Sequence, residues 1–261
     1  MRSIFIPAVL AFMIMTHAAS AKIVTQAVPY KHGDVQLEGH LAYDDAIRGK
    51  RPGVLVVHEW WGLNDYAKKR AQMLAGMGYV AFALDMYGQG QVTRDPKQAG
   101  EWAGHMRGDL NLWQSRALAG LEILRKHELC DTTRTAAIGY CFGGSTVLGL
   151  ALRGADLKAV ASFHGALPAA TADQARAVRA KMLIANGAID GFIPADAIRQ
   201  FCAALDEAKA DYLFVNYAGA KHSFTNPGAD QYGVDGVSYN KNADLRSWAH
   251  MKQLFDEAFN K

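Results

Sequence analysis

Cysteine is scarce in this chain: Cys130, Cys141 and Cys202 are the only three among 261 residues. An odd number cannot pair completely within one chain, so at least one thiol is left free. There is no C-x-x-C pair, no H-E-x-x-H spacing and no cofactor motif, which removes the common sequence signatures of bound zinc or a nucleotide cofactor. No metal and no cofactor are therefore expected. An excess of one charge is lacking too. Lys and Arg number 28 against 25 Asp and Glu, a formal charge of +3, and no basic cluster marks a nucleic-acid surface. Internal repeats and low-complexity tracts are absent. Beyond the first few residues no apolar run approaches the roughly 20 residues needed to cross a bilayer, so stable membrane insertion of the remaining chain is not expected.

What is present begins with one positive charge, Arg2, an apolar run from Ile4 to Met15, and Ala19-Ser20-Ala21 just before Lys22. These are the three parts of a cleavable secretory signal. Residues 1–21 are read as that signal and 22–261 as one domain, with a periplasmic or secreted location. In an oxidising compartment a free thiol is a liability unless it has a task.

Residues 23–42 read as two strands broken at His32-Gly33-Asp34. The short apolar run at 53–58 has the pattern of a strand buried on both faces, 79–84 reads as another buried strand, and strand-like runs follow at 135–139, 159–164, 182–186 and 212–217. Helical patterns fall at about 64–77, 110–124, 143–153, 195–208 and 243–259. The first is opened by Asn64 and Asp65 as capping residues and stopped by Gly76 and Gly78. Strands alternating with helices predict an α/β fold with a mostly parallel central sheet and helices on both faces. Ligands in such sheets bind at the carboxyl ends of the strands.

Gly139-Tyr140-Cys141-Phe142-Gly143-Gly144 lies between a strand and a helix and matches G-x-S-x-G with cysteine in the nucleophile position. The glycines permit the close strand–helix approach that such a turn requires. The helix behind Cys141 favours negative charge, which suits a thiolate, and the Phe142 amide is free to donate to an oxyanion. Downstream, Asp190 follows the strand at 182–186, with Asp196 expected to cap the next helix. His222 follows the strand at 212–217. Nucleophile, acid and histidine thus appear in the chain order of an α/β-hydrolase. His58 and His164 end strands and are candidates for lining the pocket.

Taken together these segments resemble the dienelactone hydrolase family over almost the whole chain after residue 35. The resemblance rests on H-E-W-W-G-L-N (His58 to Asn64), D-M-Y-G (Asp85 to Gly88), G-Y-C-F-G-G, the Asp190 loop and G-A-K-H-S-F (Gly219 to Phe224). It implies a role for Glu59 in contacting the resting thiol and helping to deprotonate it, with a raised carboxyl pKa if buried. It also implies Trp60 as the second oxyanion amide. Where the family carries an arginine four residues after the histidine to hold a substrate carboxylate, this chain has Asn226. A second, upstream arginine is matched by either Arg94 or Arg107. Trp61, Tyr87, Phe192 and Asn226 are expected to line the substrate pocket.

The expected activity is cleavage of a small carboxylic ester or lactone through Cys141, His222 and Asp190 by way of a thioester. Two other readings use the same residues: a thiol redox or peroxide-responsive protein acting through Cys141, and a non-catalytic small-ligand binder. A monomer or small homo-oligomer fits either.

Overall fold

Along strand β3 (Arg51–Val57) Leu55 and Val57 enter one hydrophobic core while Val54 and Val56 enter another. The same alternation repeats in β5 (Cys130–Tyr140), β6 (Ala159–Phe163) and β7 (Lys181–Gly187), as the period of two along a strand requires. A strand that is apolar at every position must therefore be covered on both sides. The computed structural model describes residues 22–259. The expected signal segment, 1–21, lies outside them.

Among the described residues one sheet runs in the order β1-β2-β4-β3-β5-β6-β7-β8. The edge hairpin of β1 (Ile23–His32) and β2 (Val35–Asp44) is antiparallel and joins β4 (Val80–Leu84) in antiparallel fashion. The remaining pairs, out to β8 (Tyr212–Tyr217), are parallel. Helices α1 (Asp65–Ala75) and α7 (Lys241–Phe259) supply buried residues to one core. On the opposite face lie α2 (Pro96–Gly108), α3 (Leu110–Lys126), α4 (Phe142–Leu152), α5 (Ala172–Arg176) and α6 (Ala195–Ala208). This is the expected mostly parallel α/β-hydrolase architecture. Among the described residues no helix is long and apolar enough to cross a membrane.

Local chemistry explains most boundaries. Asn64 caps α1 by accepting from the Ala67 amide, and Gly76 ends it, as expected. Helices α2 and α5 escape periodicity because α2 buries only Ala99, Ala103 and Met106, and α5 only Ala175. Their signals are caps: Asp95 with Pro96 at the first turn, and a Thr171–Gln174 capping box. Asp196 is not the cap of α6. Pro194 occupies that position, and Asp196 sits in the first turn, where it favours the positive end of the helix and pairs with exposed Arg199.

Candidate active site

Strand β5 delivers the chain to a turn in which Cys141 adopts φ 52° and ψ −114°, a left-handed conformation that costs energy for any residue with a Cβ. The turn is this tight because β5, β3 and α4 nearly touch. A Cβ on Gly139 would lie 2.0 Å from the carbonyl oxygen of Gly143, and one on Gly143 would lie 2.2 Å from that of Val57. No side chain fits at either position. Phe142 is the first residue of α4, so its amide has no partner within the helix and stands next to the sulfur.

The loop after β7 brings Asp190 to the same end of the sheet, and the loop after β8 brings His222. His222 Nδ1 lies 2.7 Å from Asp190 Oδ2, with both residues buried. Asp190 also accepts from the Phe192 amide through its other oxygen at 2.9 Å, which fixes the carboxylate plane. The His222 backbone is pinned on both sides, donating to Gly236 and accepting from Ser238. Burial disfavours the charged ring. The neighbouring Cys141 sulfur and the hydrogen bond to Asp190 outweigh it, and the pKa is pushed up to about 10. A folded-state value above the ordinary 6.5 stabilises the native protein fully below about pH 6.5. That contribution fades as pH rises through about 10. The stability difference between wild type and His222→Gln, followed by urea unfolding, is expected to shrink steadily from pH 7 to pH 10; a difference constant with pH would contradict this assignment.

Cys141 and His222 open into a common cavity of about 240 Å³ with Trp60, Arg107, Ala166, Phe192, Ile193, Val234 and Val237. Phe192 is half exposed and its ring centre lies 5.0 Å from that of His222. Of the expected pocket aromatics, Phe192 lines this space and Trp61 and Tyr87 do not. Trp61 is buried flat against Tyr232 at 4.1 Å, and Tyr87 packs beneath Phe142 and beside His58. Asn226 is also turned away, because its amide donates to Glu59 Oε2 at 2.7 Å. His58 and His164 are fully buried behind the cavity rather than lining it.

Glu59 sits at the carboxyl end of β3 and is buried, as the resemblance implied. Its oxygens accept from Ser223 Oγ and Asn226 Nδ2, both at 2.7 Å, instead of contacting the thiol. Burial raises its carboxyl above the ordinary range, against the pull of those two hydrogen bonds. Glu59 therefore ties the strand end to the loop that carries His222. Of the two upstream arginines, Arg107 reaches the cavity, extending from α2 with its guanidinium 5.8 Å from the Phe142 ring centre. Arg94 lines a different, more polar hollow beside Tyr232. Sequence reasoning missed Ala166, Val234 and Val237 at the cavity. Small aliphatic residues on irregular loops carry no periodic signal.

The dienelactone hydrolase family model matches residues 37–259. The protein usf of Aquifex pyrophilus is 26% identical over 206 residues, covering 77% of this chain and 87% of its own. The solved structure of m3DLH superposes with a TM-score of 0.88 at 38% identity, over 91% of this chain and 99% of that one. P91, a dienelactone hydrolase-like promiscuous phosphotriesterase from metagenomic libraries, gives a TM-score of 0.88 at 36% identity, over 90% and 98% of the two chains.

Proposed function

The chain belongs to the dienelactone hydrolase family, and from that premise we propose that it hydrolyses a compact carboxylic ester or lactone through a Cys141–His222–Asp190 triad and a thioester. One observation carries the reading: a strained cysteine turn at a helix N-terminus faces the same cavity as a histidine already oriented by a buried aspartate.

In this reaction Cys141 attacks the carbonyl carbon, and the developing oxyanion accepts from the amides of Phe142 and Trp60. His222 gives its proton to the departing alkoxide. It then takes one from water as that water attacks the thioester, while Asp190 keeps the ring in the required tautomer. Glu59, locked by Ser223 and Asn226, holds the histidine loop. With Asn226 committed to Glu59, the cation available to an anionic substituent is Arg107. Beyond Arg107, Cys141 and His222 the cavity is lined by Trp60, Ala166, Phe192, Ile193 and two valines, which favours an apolar or aromatic acyl group. The likeness to P91 favours a second substrate class, activated phosphotriesters, attacked by the same sulfur. The signal pattern at residues 1–21 adds export to the periplasm or beyond to this proposal.

The direct test is trapping the intermediate. Protein mixed with a p-nitrophenyl ester and quenched in acid within milliseconds is expected to gain one acyl group on the peptide containing Cys141. Turnover without any acyl-Cys141 peptide would reject the thioester route.

A further inference from the structure

The amide hydrogen of the nucleophile is shared between two acceptors. Cys141 N lies 3.0 Å from the Phe163 carbonyl oxygen and 3.1 Å from His164 Nδ1. His164, which follows β6, is fully buried and has φ 42°, a left-handed conformation that a histidine keeps only when its surroundings over-determine it. A ring nitrogen that accepts carries no proton, so the hydrogen of this imidazole sits on Nε2 and is donated to Thr225 Oγ1 at 2.7 Å. Thr225 is held in turn: its hydroxyl lies 2.6 Å from that of Tyr66, and its carbonyl accepts from Arg70. The His164 ring also meets the His222 ring edge to face, with centres 5.2 Å apart. No step of the reaction above uses His164, yet it touches both the backbone of the nucleophile and the ring of the base.

We infer that His164 is a positioning residue. Its Nδ1 accepts from the Cys141 amide and holds the turn, its ring seats His222, and Thr225 takes up the Nε2 hydrogen of the tautomer that makes the first contact possible. Burial and the positive charges of His222 and Arg70 oppose protonation of His164, so the acceptor persists. Moving the proton to Nδ1 would set N–H against N–H. Cys141 would be left with the Phe163 carbonyl alone, and the sulfur would shift. A displacement of about 1 Å at a reacting atom costs on the order of 100-fold in rate.

The kinetic part of this inference rests on the hydrolase reading; the other parts do not. In full-length wild type labelled with 15N-histidine, His164 is expected to show an unprotonated Nδ1 and a protonated Nε2. Three variants separate position from mere support. His164→Leu removes the acceptor, His164→Asn returns an oxygen near the place of Nδ1, and Thr225→Val removes the hydroxyl that accepts the Nε2 hydrogen. Two rates are read on folded protein. One is kcat and KM for p-nitrophenyl acetate. The other is alkylation by iodoacetamide at the Cys141 peptide, which needs no substrate and is resolved from Cys130 and Cys202 by mass.

His164→Leu and Thr225→Val are expected to lower kcat and Cys141 alkylation about 10- to 100-fold with KM nearly unchanged, and His164→Asn to regain about tenfold over His164→Leu. If His164→Leu does not fold, Thr225→Val carries the test. A protonated Nδ1 in wild type overturns the inference, as do folded Leu and Val variants with both rates within about threefold of wild type. If wild type fails to turn over the ester, the hydrolase reading falls while alkylation and the nitrogen spectrum still decide the role of His164.

Discussion

Cys141→Ala is expected to lower kcat/KM for ester hydrolysis by on the order of 10⁴-fold or more, to the residual level that the oxyanion donors and binding alone sustain. Alanine keeps a Cβ in the left-handed turn and removes only the sulfur, so the fold is expected to stay intact and the loss to be chemical. Nucleophile, base and orienting acid work as a unit. His222→Ala alone should therefore fall to a similar level, and the double variant little further. Steady-state kinetics on p-nitrophenyl esters, with circular dichroism to confirm folding, measure this. A folded Cys141→Ala variant retaining a tenth or more of wild-type turnover would sink the triad.

Asp244→Ala is expected to destabilise the protein by about 3–5 kcal/mol, the cost of leaving a buried charge without its partner. The charge is that of Arg70, 4% exposed, which pairs with Asp244 at 2.5 Å and lies against the rings of Tyr66, Tyr140 and Trp248. The same guanidinium holds the Thr225 carbonyl, so this ion pair anchors the segment following His222. Replacing both partners with apolar residues, Arg70→Met with Asp244→Leu, should recover much of the loss, because the desolvation cost of the pair disappears with it. Pairs at the surface such as Arg176–Glu207 are worth under about 1 kcal/mol by comparison. Urea midpoints of these two variants beside wild type decide the matter. A single-variant loss below about 1 kcal/mol would mean that the Arg70 charge finds other compensation.

The strands were legible in the sequence because burial on both faces leaves uninterrupted apolar runs such as 53–58 and 182–186. Helices with broad apolar stripes were legible for the same reason. Helix α2 was not, since three small or flexible residues suffice to pack it, and Arg107 was hidden with it. The nucleophile turn could be read because a backbone approach of this closeness admits only glycine at 139 and 143. Asp190 and His222 could be read from their positions after strand ends. The pocket could not. Trp61 and Asn226 lie within four residues of Glu59 and His222, and Tyr87 follows the end of β4, but their direction depends on what packs against them from Tyr232, Glu59 and Phe142.

By itself, then, the sequence determined the α/β class and the strand ends on which Cys141, Asp190 and His222 stand. Each of these follows from a local pattern: periodicity, glycine at a contact, or a polar residue after an apolar run. The tertiary structure alone decided that Glu59 bonds to Ser223 and Asn226, that Arg107 rather than Arg94 reaches the cavity, and that His164 meets the Cys141 amide. Those contacts join residues 23 to 167 positions apart. No local pattern encodes them, because they exist only once the sheet has brought its strand ends together.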